Sequence, residues 1–241
     1  MTIVYQTARA TLWHGDALDF LATLATESVD LVATDPPYGQ EFISNMRTDL
    51  FGPIHGDGAD SDSRAAVRDI LTECVRCVGQ HRHVYVFGPD DVLNGLKVSE
   101  TADLIWDKGR PGMGDLQSSW GPAHEPITFA VSKHRHGGQR GGGAIPARMR
   151  KGSVLAFPPP TGRKVRHPSE KPLGLMRELI ESSSRVGETV LDPFCGVGST
   201  GVAAVLLGRR CLLAERDDRY ISIIRDRLAA AERLADEMAT I

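Results

Sequence analysis

Apolar positions along the chain keep two alternating rhythms. DLVAT (30–34), HVYVFG (83–88), ETVLDPF (188–194) and RCLLAER (210–216) are short, nearly continuous apolar runs, the pattern of strands covered on both faces. TLWH at the head of TLWHGDALDFLATL (11–24), DLIWDK (103–108) and EPITFAVSK (125–133) predict three more strands. Between the runs the apolar spacing changes to three and four. Leu18, Leu21 and Leu24 share one helical face, and further helices are predicted over 64–79, 172–184, 199–208 and 218–238. Pro172 suits a first helical turn and Gly208 a helix end. Seven strands alternating with helices predict an α/β fold: a mixed, mostly parallel, Rossmann-like sheet with helices on both faces. Residues 39–63 carry Gly, Asp and Ser without periodicity and read as a long loop, a feature usually tied to function.

Composition narrows the class. Of 241 residues 41% are hydrophobic and 24% charged, ordinary for a soluble chain able to bury a substantial core. No apolar run approaches the ~20 residues of a membrane span, and the opening residues do not resemble a signal peptide. A cytoplasmic location with reduced thiols is therefore expected. Cys74 and Cys77 form a CxxC, but it lies inside a helical pattern and no second pair completes a zinc site, so both read as structural.

Charge is distributed unevenly. Lys133 to His167 holds nine Lys and Arg and no acid, which leaves 19 of the 28 basic residues against 31 acidic ones elsewhere. On charge alone this segment is either a polyanion-binding element or a flexible basic loop.

Two motifs carry chemistry. TDPPYG (34–39) closes the run DLVA, and its prolines can neither donate to a sheet ladder nor continue a helix. Further on, VLDPF runs into CGVGST and then a helix. Gly196, Gly198 and Gly201 give G-x-G-x-x-G, and Glu215 ends the next strand 19 residues after Gly196. Glycines for a tight turn and an acid for ribose hydroxyls mark an adenosine-type ligand, and fit a nicotinamide dinucleotide and S-adenosylmethionine equally. A nicotinamide enzyme needs a further substrate-binding half after this unit, whereas only one helix follows here. The reactive partner must come from the N-terminal half, where TDPPYG sits.

Together DPPY (35–38) and DPFCGVGST (192–200) resemble the S-adenosylmethionine-dependent amino-methyltransferases of DNA; the order, DPPY first and glycine loop last, resembles their β class. HGDALDFLATL (14–24), WGPAHEPITFAVSK (120–133), HPSEKP (167–172) and LLAERDDRYISIIRDRL (212–228) extend the similarity over nearly the whole chain. The resemblance implies a circularly permuted methyltransferase sheet. Residues 1–132 would form its catalytic half, 133–167 a short basic target-recognition region, and 168–241 its cofactor-binding half.

The resemblance also implies roles. Asp35, Pro36, Pro37 and Tyr38 would be catalytic, with Asp35 and the Pro36 carbonyl accepting the amine hydrogens and Tyr38 stacking on a flipped base. S-adenosyl-L-methionine, leaving as S-adenosyl-L-homocysteine, would lie among Asp16, Ala17, Asp35, His167, Lys171, Pro172, Asp192, Pro193, Phe194, Cys195, Gly196, Gly198, Ser199, Thr200, Glu215 and Arg216. Arg135, Arg140, Arg148, Arg150, Lys151, Arg163, Lys164 and Arg166 would meet double-stranded DNA, mostly at phosphate. Asp in the first motif position favours adenine N6 over cytosine N4. No Pro-Cys pair is present for carbon-5 chemistry, and no metal is expected. A homodimer and a cognate restriction endonuclease are further implied partners. The rival readings are an N4-cytosine enzyme, a methyltransferase of RNA or protein glutamine, and a catalytically inactive DNA-binding subunit.

Overall fold

The computed structural model describes residues 2–37, 61–88, 90–111, 119–132, 151–161 and 170–240. Its strands are β1 (Thr2–Gln6), β2 (Ala10–His14), β3 (Val29–Thr34), β4 (Val78–Phe87), β5 (Val98–Asp107), β6 (His124–Ser132), β7 (Val154–Ala156), β8 (Thr189–Asp192) and β9 (Arg210–Glu215). They form one sheet in the order β1-β2-β9-β8-β3-β4-β6-β5-β7. The run from β2 to β4 is parallel throughout, as is the β5–β7 pair; β1 and β6 pair antiparallel with their neighbours.

All seven expected strands are present, and the described residues add β1 and β7 at the two edges of the sheet. β7 lies within the stretch expected as a basic recognition region; it pairs with β5, and the Trp106 Nε1–H donates to the Phe157 carbonyl at 2.7 Å. Residues 154–156 therefore belong to the sheet. The helices are α1 (Ala17–Ala22), α2 (Ser61–Cys77), α3 (Leu173–Ser183), α4 (Ser199–Leu206) and α5 (Asp218–Ala239). α2 begins inside the expected loop and ends two residues early, because Val78 is already paired with Val29 of β3.

The apolar runs are continuous because each strand feeds two cores. Leu31, Ala33, Tyr85, Phe87, Val190, Cys211 and Leu213 point to the layer with α3, α4 and α5. Val32, Val84, Val86, Leu191 and Ala214 point to the layer with α1 and α2. Cys74 and Cys77 are fully buried free thiols in that second layer.

The connections diverge at one place. From β8 the chain passes through α4 to β9 on one side; from its neighbour β3 it passes through α2 to β4 on the other. The carboxyl ends of β8 and β3 thus flank a topological switch point, where open α/β sheets leave a crevice for ligands.

Candidate active site

Both motifs end at that crevice. Asp192 closes β8, Thr34 closes β3, and the two are tied: Thr34 Oγ1 donates to Asp192 Oδ1 at 2.7 Å. Asp192 also accepts Thr200 Oγ1 at 2.5 Å and the Phe194 N–H at 3.1 Å. Burial pushes its carboxyl up to about 6 against these three donors. Asp192, expected beside the cofactor, is 3% exposed and joins β3, β8 and the start of α4 as a strut.

The glycine loop turns where an L side chain is strained. Gly196 and Gly198 have φ of 53° and 77°. The Gly198 N–H donates to the Cys195 carbonyl at 2.7 Å and Gly198 caps α4. A Cβ on Gly196 would meet nothing within 4 Å, so its backbone borders open space, whereas one on Gly198 would touch Ile224 at 3.0 Å. Arg227 of α5 braces the loop from behind, donating to the Val197 carbonyl at 2.6 Å and pairing with Glu170 at 3.1 Å. Pro193, Cys195, Ser199 and Thr200 are buried and Phe194 is partly exposed. The Thr200 hydroxyl is engaged by Asp192.

Next along the edge stands Glu215, at the end of β9. Burial pushes its carboxyl up to about 7, although it accepts the Asp217 N–H at 2.8 Å. The Gly15 N–H donates to the Glu215 carbonyl at 3.0 Å, which brings the Asp16 turn alongside. Asp16 caps α1, its Oδ1 accepting the Leu18 N–H at 2.8 Å, and Ala17 is buried behind it. Arg216 is exposed. Open backbone at Gly196, a partly buried acid able to accept hydroxyls and a neighbouring helix start fit an adenosine-type cofactor carrying a carboxylate.

On the other flank Asp35 follows β3, with Pro36 buried and Pro37 partly so. Lys171 meets it: Nζ lies 2.7 Å from Asp35 Oδ2 and 2.9 Å from Glu125 Oε2. Lys171 is 8% exposed and sits over the rings of Phe87 and Trp106, at 4.7 and 5.6 Å from their centroids. Burial alone would lower its pKa; the Asp35 and Glu125 carboxylates outweigh it and hold the ammonium above the ordinary lysine value. Burial would raise Glu125, but Lys171 and then Lys108, 2.8 Å away, bring its carboxyl below the usual range. Pro172 follows Lys171 as the N-cap of α3.

Sequence reasoning placed Lys171 near the cofactor and did not find Glu125, Lys108, Phe87, Trp106 or Arg227. The signal for Glu125 was an acid opening an apolar strand in HEPITFAVS. Lys151 is ion-paired with Glu178 of α3. Tyr38, His167, Arg135, Arg140, Arg148, Arg150, Arg163, Lys164 and Arg166 lie outside the described residues. A cleft of about 380 Å³ bordered by Arg9, Thr23, Thr189 and Arg210 opens at the amino ends of β2, β8 and β9, the opposite edge of the sheet. Topology, not volume, locates the candidate site.

Comparison with known proteins points the same way. A family model described as DNA methylase matches residues 29–226. The type II methyltransferase M.HinfI of Haemophilus influenzae is 28% identical, the match covering 90% of this chain and 68% of that protein. The DNA adenine methyltransferase YhdJ of Escherichia coli K12 is 27% identical over 96% of this chain and 87% of its own length. Among solved structures, the M1.HpyAVI–SAM complex shares the fold with a TM-score of 0.65 at 20% identity, over 91% of this chain and 98% of that one.

Proposed function

This chain belongs to the DNA methylase family, and from that premise we propose that it methylates the exocyclic N6 amine of adenine in duplex DNA, using S-adenosylmethionine and base flipping. The observation that carries the reading is the meeting of Asp35-Pro36-Pro37 and the glycine loop across the ends of β3 and β8.

When bound, S-adenosylmethionine supplies an electrophilic methyl group on sulfur. Glu215 would accept the ribose hydroxyls, with Asp16 beside the adenine and Gly196 lending its backbone. The N–H groups opening α4 suit a carboxylate. The target amine is a poor nucleophile because its lone pair is delocalised into the base. Asp35 and the Pro36 carbonyl would each accept one of its hydrogens and favour tetrahedral geometry at nitrogen. The two prolines, with φ set near −65°, hold that carbonyl in place. Tyr38 would stack on the flipped base and offset part of the unstacking cost of a few kcal/mol. Asp rather than Ser at position 35, and the adenine-directed relative YhdJ, support adenine over cytosine. The resemblance extends the reading to a homodimer working beside a cognate restriction endonuclease in the cytoplasm.

The test is transfer of labelled methyl from S-adenosylmethionine to duplex DNA, followed by nucleoside analysis. The expected product is N6-methyldeoxyadenosine, and Asp35→Asn should lower kcat by roughly 10²–10³-fold with cofactor affinity retained. N4-methyldeoxycytidine would overturn the base assignment. Cofactor binding without transfer would support an inactive subunit.

A further inference from the structure

The adenine-methylation reading uses Asp35 but leaves unexplained the buried Lys171 and the partly buried Glu125 and Lys108 behind it. Four groups alternate in sign along the crevice: Asp35, Lys171, Glu125 and Lys108, linked at 2.7, 2.9 and 2.8 Å. They come from four places in the sequence. Asp35 follows β3, Lys171 precedes α3, Glu125 lies on β6 and Lys108 follows β5. Glu125 is paired with Trp106 across the β5–β6 ladder, which sets it between Lys108 and the Lys171 ammonium. The Phe87 and Trp106 rings close over Lys171.

A buried ammonium with one carboxylate partner would draw that partner's charge wholly to itself. If Asp35 were that partner, it would present a neutralised pair to the incoming amine. The amine nitrogen becomes cationic as it bonds carbon, and a neutral Asp35–Lys171 pair would offer that charge no net negative partner. Glu125 supplies the second negative charge. Lys108 in turn holds the other carboxylate oxygen, Oε1, at 2.8 Å, so Glu125 is anchored through both of its oxygens.

We propose that Glu125, anchored by Lys108, is a positioning residue for methyl transfer: it shares the Lys171 ammonium with Asp35, fixing where that cation sits and compensating its charge. The assignment rests on the catalytic reading above and adds a function for two residues outside both motifs. Glu125 acts through Lys171, so its effect should vanish when Lys171 is uncharged.

The experiment is a double-mutant cycle in single-turnover methyl transfer on the 241-residue chain, with Glu125→Gln, Lys171→Met and the double variant. Cofactor affinity by calorimetry and thermal unfolding are read alongside. Glu125→Gln should lower the single-turnover transfer rate roughly tenfold with cofactor Kd changed less than about threefold, and should have no further effect in the Lys171→Met background. Lys108→Met, at the end of the row away from Asp35, should show a smaller loss that also disappears without Lys171; it carries the test should Glu125→Gln fail to fold. Wild-type rates for Glu125→Gln, or equal losses in both backgrounds, would overturn the assignment while leaving the catalytic reading standing. A wild-type protein that transfers no methyl group to DNA would overturn both.

Discussion

Glu215 shows what a strand end does to a carboxyl group. Lifted to about 7 by burial, it holds a proton that an exposed glutamate would lose near 4.5. Ribose hydroxyls bind best to the ionised form, so cofactor binding should expel that proton. Affinity should fall by up to tenfold per unit as pH drops below about 7, and level off above it. Calorimetry from pH 5.5 to 8.5 should show this slope, and Glu215→Gln should flatten it; a slope surviving in the variant would assign the titration elsewhere. In the ligand-free protein the sign is the reverse of the usual carboxylate case. The native state holds the extra proton, so Glu215, and Asp192 at about 6, contribute less stability as pH rises through about 4 to 7. Asp35 and Glu215 were legible as candidates because each ends an apolar run. Glu125 and Lys108 were not, because their meaning depends on each other and on Lys171, residues distant in sequence.

The contact between α4 and β9 depends on a missing side chain. A Cβ on Gly201 would lie 2.5 Å from Leu213 Cδ1, 3.1 Å from Leu228 Cδ2 and 3.4 Å from Cys211 Sγ, all within the buried core. Gly201→Ala should therefore push α4 off the sheet and destabilise the protein by about 1–3 kcal/mol, measured by urea unfolding. A neutral substitution would mean that Leu213 repacks freely. The third glycine of the motif thus serves packing, while Gly196 and Gly198 shape the loop. Among the elements, central strands were readable because burial on both faces leaves no polar residue to break the run. β1 and β7 were not, since half-exposed edge strands carry a weak apolar signature. The α2–β4 boundary was missed because pairing with β3 overrides local helical spacing at Val78.

At the scale of the molecule the sheet edge and the charge distribution act together. The carboxyl ends of β2, β9, β8, β3 and β4 and the amino end of β6 face one side, carrying Asp16, Glu215, the glycine loop, Asp35, Phe87 and Glu125 in spatial order. Of the basic stretch from Lys133 to His167, the described residues 151–161 carry β7, whose carboxyl end lies beside that of β5 on the same side. Duplex DNA bound there would release counterions, so affinity should fall steeply with salt. Replacing Arg148 and Arg150 together with Ala should weaken binding to all sequences and reduce the log–log salt slope by about 1–2, measured by fluorescence anisotropy. An unchanged slope would remove both residues from the phosphate contacts.

Sequence alone determined the class of fold, the two motifs and their order, because apolar periodicity and glycine–proline chemistry are local properties carried by adjacent residues. It also carried the charge asymmetry, which is a matter of composition. Only the tertiary structure decided that Asp192 is a strut, that β1 and β7 complete the sheet, and that Lys171 is shared between Asp35 and Glu125. Those outcomes depend on which strand ends become neighbours, and strand order is set by burying two cores at once rather than by any single segment.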